Sequence, residues 1–174
     1  MESYEFPLNF KERLEEDCNL GLLITKEHIV LDIDNKTSCG SNKETHSTKT
    51  GLQDFVSLAS QHVPIETLTA LTPSGGKHIY FKLTGAEGEE KLKNWNYGMQ
   101  FETKVIAVDI RVSGGYITCP PSKMIDSDKC YRWENDNYKV PIAPLPLWIL
   151  HNILDTRDSN ASSNGSSVEG MEMF

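Results

Sequence analysis

Three short runs rich in β-branched and aromatic residues, each carrying apolar–polar alternation with a period of two in part of its length, commit the chain to a fold built on strands. They are IVLDID (29–34), HIYFKL (78–83) and VIAVDIR (105–111). Successive side chains of a strand point to opposite faces. In the first run Leu31 and Ile33 take one face and Asp32 and Asp34 share the other. In the second, His78 shares a face with Tyr80 and Lys82, opposite Ile79 and Phe81. In the third, Asp109 and Arg111 share a face opposite Val108 and Ile110. Each run offers one side to a core and another bearing groups that titrate or carry charge.

The remaining segments fill in around these strands. NLGLLI (19–24), ETLTAL (66–71), GGYITCPPS (114–122) and CYRWEN (130–135) read as further strands, with ETLTAL and HIYFKL forming a hairpin about the glycine turn between them. Helical spacing predicts helices at 9–18, where Phe10, Leu14 and Cys18 align, at 52–61, and at 144–155 after a proline. CGSNKETHSTKTG (39–51) is a polar loop, and GAEGEEKLKNWNYG (85–98) is charged and irregular. The fold class expected is α+β, a mixed or antiparallel sheet with flanking helices. Residues 1–154 read as one domain, and the Ser/Asn/Gly-rich residues 155–174 as a disordered polar tail.

Charge narrows the partners. The formal net charge is −8, of which residues 1–154 carry −5. A protein that coats nucleic acid by bulk charge has the opposite sign. An acidic cluster that holds metal ions remains compatible. None of the four cysteines forms a C-x-x-C pair, which argues against zinc. The N-terminus lacks the apolar centre of a signal peptide, and no run has transmembrane length. The setting expected is intracellular, cytoplasm or nucleus, not secreted, with reduced thiols and no membrane.

Two carboxylates on one strand face, as at Asp32 and Asp34, lie about 7 Å apart and repel unless a positive charge intervenes. A divalent cation is one answer; two solvated aspartates at a strand end is the other. Asp109 and Arg111 permit a structural ion pair or a third metal ligand beside a phosphate-binding arginine. TPSGGKHIYF (72–81) is not a P-loop, because Leu71 and His78 stand where that motif needs glycine and Ser/Thr. A hairpin turn explains Gly75 and Gly76; it does not explain His78. Lys91, Lys93, Trp95 and Tyr97 read either as a solvated charged loop or as a single-strand contact. Tyr116, Tyr131 and Trp133 read as core or sheet residues ahead of base-stacking ones.

Taken in order, LDID, TPSGGKHIYF, VDIR-x-x-GGYI-x-x-PPS, YRWEN and IAPLPLWIL resemble the bifunctional DNA primase/polymerase (prim-pol) domain of the archaeo-eukaryotic primase superfamily. The resemblance spans roughly residues 19–150. It implies a primase-polymerase catalytic core with an RRM-like palm. It implies that Asp32, Asp34 and Asp109 are catalytic ligands of two Mg²⁺ or Mn²⁺ ions. It further implies that His78 contacts the nucleotide phosphates, with Arg111, Lys77 and Ser74 as lesser candidates for the same pocket. The strands bearing these residues should then line one cleft. Two departures stand out. Only eighteen residues precede Asn19, so the N-terminal edge reads as shortened, and Gly76 replaces the serine usual two residues before the histidine.

The activity implied is template-directed nucleotidyl transfer: nucleoside triphosphates joined to a 3′-hydroxyl on single-stranded or primed DNA, with release of pyrophosphate. A replicative helicase on a separate chain is the partner such a domain implies. Two alternatives are a catalytically weak nucleotide or single-stranded DNA binding module of a replication complex, and a metal-dependent phosphoesterase acting without a template.

Overall fold

The computed structural model describes residues 19–37, 47–86, 89–92, 97–124 and 127–155. The expected helix at 9–18, the side chains of Lys93 and Trp95, and the tail from 156 onward lie outside these residues.

At the centre is strand β2 (His28–Ile33). Ile29, Leu31 and Ile33 alternate onto one face and are wholly buried. Such burial contributes about 1.5–3 kcal/mol per side chain, which is why the run must lie mid-sheet. Strand β4 (Lys77–Lys82) pairs antiparallel on one side of it and β6 (Lys104–Arg111) on the other. Beyond β4 come β3 (Thr69–Leu71) and β8 (Arg132–Trp133). Beyond β6 come β5 (Tyr97–Phe101) and β10 (Ile153–Asp155). A short strand, β9 (Ala143–Pro144), runs parallel to the end of β4. These eight strands form one mixed, predominantly antiparallel sheet.

The apolar face is covered by helix α1 (Gly51–Ala59) and the short α2 (Leu147–His151). Phe55 and Leu58 from α1, and Ile149 from α2, pack with Ile29, Leu31, Ile33, Val108 and Ile110. Thr50 starts α1 with a capping box: its hydroxyl accepts from Gln53 N at 3.2 Å, and Gln53 Oε1 accepts from Thr50 N at 3.0 Å. The opposite face carries a two-stranded antiparallel ribbon, β1 (Leu20–Leu23) with β7 (Tyr116–Cys119). Ile24 and Ile117 seat it against Val30, Ala70 and Tyr80, a second and smaller core. Buried Ser122 ties the ribbon down by accepting from Leu20 N at 2.7 Å. The rest of that face stays open beside the ribbon.

The α+β class and the hairpin across the glycine turn follow the sequence. Three expectations need correction. The helix expected over 144–155 stops at His151, and Ile153–Asp155 pairs instead with β5. The irregular 85–98 segment holds a 3₁₀ turn at Glu89–Lys91 and leads into β5. Of CYRWEN only Arg132–Trp133 is strand.

Candidate functional site

The ladder registers assemble the site. Asp32 faces Asp109 on one side and His78 on the other, and His78 faces Ala70. Asp109, Asp32 and His78 thus stand in one row across three adjacent strands, on the face away from the helices. Arg111 lies two residues along β6 from Asp109, so it shares that face. Its Nη2 donates to Asp109 Oδ2 at 3.0 Å and to Asp32 Oδ2 at 3.2 Å. His78 Nε2 lies 3.3 Å from Asp32 Oδ1. The imidazole is almost fully buried, its ring centroid 5.5 Å from that of Tyr131. His78 Nδ1 is buried with no hydrogen-bond partner among the described residues.

The two facing carboxylates experience different fields. Burial acts to raise Asp32, but the hydrogen bond and charge of His78, followed by those of Arg111, outweigh it and hold the carboxyl below its ordinary range. Asp109 is pushed up, first by partial desolvation and then by the nearby Asp32 and Asp34, against the pull of Arg111. Its side chain is 63% exposed, so water tempers each of these effects. Asp34 pairs with the largely exposed Lys36 at 3.0 Å.

Asp34 is placed by its backbone. Its N–H donates to Ala107 O at 3.1 Å, and its carbonyl accepts from Leu52 N, in the first turn of α1, at 3.0 Å. The glycine turn closes the same end of β2. Thr72 N donates to Gly76 O and Gly75 N to Thr72 O, each at 3.0 Å, and Gly75 has φ +86°. A Cβ on Gly76 would lie 2.2 Å from Ile33 O. Glycine there lets the turn lie against the backbone that leads to Asp34.

A cavity of about 570 Å³ opens over this face. Asp32, Asp34, His78 and Arg111 line its floor, and Thr72 and Ser74 contribute from the glycine turn. Gly114–Thr118 of the ribbon and Tyr131 form the remaining wall. Asp109 does not line the cavity itself; it adjoins it through Arg111. Lys77 is not brought to this cleft. The strand period sends it to the opposite face, where it pairs with Glu134 and borders a groove with Phe55 and Trp148. Thr72, Tyr116 and Tyr131 line the cavity, although the sequence reading gave none of them a role there. Tyr116 could have been found, since alternation with buried Ile117 already turns it outward.

Among the described residues no three His, Cys, Asp or Glu side chains are drawn together as a ready-made ion site. The donor set nonetheless suits a hard divalent cation, being carboxylate oxygen throughout. Asp32 and Asp109 share a single Arg111 nitrogen. The facing pair needs a positive charge, and a guanidinium supplies it here.

The chain matches a known family. The family model described as bifunctional DNA primase/polymerase, N-terminal, covers residues 10–148 of the 174. No curated protein matches the chain.

Proposed function

The chain belongs to the bifunctional DNA primase/polymerase N-terminal domain family, and on that premise we propose that it adds nucleoside triphosphates to a 3′-hydroxyl on a DNA template, releasing pyrophosphate. Enzymes of this family are nucleotidyltransferases that act on nucleotides and DNA and generally depend on divalent metal. In our reading residues 1–154 form the catalytic domain, and the sheet β6–β2–β4–β3 serves as an RRM-like palm.

The observation that carries this reading is the row Asp109–Asp32–His78 on one open sheet face, with Asp34 and Arg111 beside it and a nucleotide-sized cavity above. Asp32, Asp34 and Asp109 would hold two Mg²⁺ or Mn²⁺ ions. Bound there, such ions lower the pKa of the attacking hydroxyl and offset the charge that builds on the transferred phosphoryl group. The chain's own residues supply position and positive charge, which is most of what phosphoryl transfer asks of a protein. Ser74 and His78 line the end of the cavity suited to the phosphates. Arg111, on the same face, adds a guanidinium that can pair with phosphate oxygens in bidentate fashion. The Asp32 carboxyl, held below its ordinary range, is ionised and ready for a cation at neutral pH.

The test is extension of a labelled primer on a single-stranded template with Mg²⁺ or Mn²⁺. The wild type should give template-dependent products. Asp32→Ala/Asp34→Ala should give none while remaining folded, with a lowered melting temperature because His78 and Arg111 lose their Asp32 partner. Asp109→Ala should likewise give no products, and His78→Ala should mainly raise KM for nucleotide. Full activity in either aspartate variant would refute the assignment. A folded wild type that binds nucleotide but extends nothing would be a binding module.

A further inference from the structure

The mechanism above uses the charged floor of the cavity and leaves its ribbon wall without a task. That wall presents one conspicuous group. Tyr116 is 75% exposed, although it lies within a strand and faces the same cavity as Asp32, His78 and Arg111. A large aromatic ring held open at the rim of a cleft forgoes the burial that its size would otherwise bring.

Its seat is built. Tyr116 begins β7 directly opposite Leu23, itself exposed, and Gly21 lies diagonally across the pair. A Cβ on Gly21 would meet Tyr116 Cδ2 at 3.9 Å and no other atom within 4 Å. The ring therefore leans over the bare backbone of β1, supported from below and open above. The backbone under it is fixed by Ile24 N donating to Gly115 O and Gly115 N to Val112 O, each at 2.9 Å. Next along β7, Ile117 is buried in the smaller core and anchors the ribbon to the sheet.

We infer that Tyr116 is the platform on which the base of the incoming nucleoside triphosphate stacks, with the phosphates directed toward His78 and Arg111. This deepens the polymerase reading and rests on it. A cavity charged at its floor and aromatic at its rim matches the two ends of a nucleotide. Stacking is also the right chemistry for a template-directed site. Every base has a π-face, so an aromatic ring accepts all four and leaves selection to the template.

The experiment measures binding of 2-aminopurine deoxyribonucleoside triphosphate with Mg²⁺, whose fluorescence falls when its base stacks on an aromatic ring. Inorganic tripolyphosphate with Mg²⁺ reports the phosphate grip alone. Tyr116→Ala should melt with the wild type, lose the quenching, and bind the nucleotide roughly five- to a hundredfold more weakly. Its affinity for tripolyphosphate should not change, whereas His78→Ala should weaken both ligands. Tyr116→Phe should restore stacking. The inference is overturned if Tyr116→Ala binds nucleotide as the wild type does, or weakens nucleotide and tripolyphosphate equally. It is also overturned if only the affinity for single-stranded DNA falls, which would give the ring to a template base. The two readings fail separately. Absent primer extension with stacking retained removes the polymerase reading alone, and extension without stacking removes the platform alone.

Discussion

Lys77 and His78 are adjacent in sequence and meet different fates. A strand turns successive side chains to opposite faces, so His78 joins the aspartates while Lys77 pairs with Glu134 behind them. The alternation that unites His78 with Asp32 already excludes Lys77, and that was legible in KHIYF (77–81). The nearness of Arg111 to Asp32 was not, because 79 residues separate them and only the register of β6 on β2 joins them. The cysteines offer a test at the same scale. Partial burial pushes the Cys119 thiol above its ordinary value, whereas Cys130 is exposed. A raised thiol pKa leaves less thiolate at neutral pH, so reactivity appears only as pH climbs past the usual thiol range. Timed alkylation at pH 7.5, read by peptide mass spectrometry, should label Cys130 well before Cys119. The gap should narrow at pH 10. Equal labelling at pH 7.5 would contradict the burial of Cys119.

Helix α1 reads as a helix from spacing alone, yet its contribution to the site comes from its first residue. Gly51 N donates to Lys36 O and Leu52 N to Asp34 O, each at 3.0 Å, so the helix start holds the end of β2 that bears Asp34. A Cβ on Gly51 would lie 2.0 Å from Ala107 O and 2.8 Å from Asp34 O, both backbone atoms with little room to yield. Gly51→Ala should therefore cost about 1–3 kcal/mol. For a chain of this size that lowers Tm by roughly 2–4 °C per kcal/mol. It should also weaken Mn²⁺ binding, because Asp34 moves with the backbone. Thermal melts and Mn²⁺ titration check both, and a variant that melts with the wild type would show that the close approach is not real. The C-terminal element carries the opposite lesson. PLPLWILHNILD has helical apolar spacing and a helix's length. The helix nevertheless stops where Asn152 O accepts from Gln100 N at 2.8 Å, and the next three residues pair with β5. A partner strand 54 or more residues away, Ile153 opposite Met99, decides the matter, and no local signal reports it.

The whole molecule pairs a thick sheet with a thin ribbon, and the cleft lies where the two meet. β2 is hydrogen-bonded on both sides, and its core residues are fully buried. The ribbon has two short strands and leaves Leu22, Leu23 and Tyr116 exposed. Two-stranded elements are marginal by themselves and open locally at low cost. In native-state hydrogen exchange the β1–β7 amides should exchange at least about tenfold faster than those of β2. Nucleoside triphosphate with Mg²⁺ should slow the ribbon amides, as a ligand stabilises whatever it contacts. Ribbon amides as protected as those of β2 in the free protein would show the two parts to be one rigid unit. By itself the sequence determined the strand faces, the α+β class and the family, and it singled out the acidic and histidine candidates, since a period of two and motif order are local properties. The tertiary structure alone decided which strands lie side by side, that Arg111 bridges Asp32 and Asp109, and that the outward-turned Tyr116 stands over the same cavity as Asp32 and His78. Those relations depend on register between segments far apart in the chain, and register is fixed by burying all the apolar faces at once.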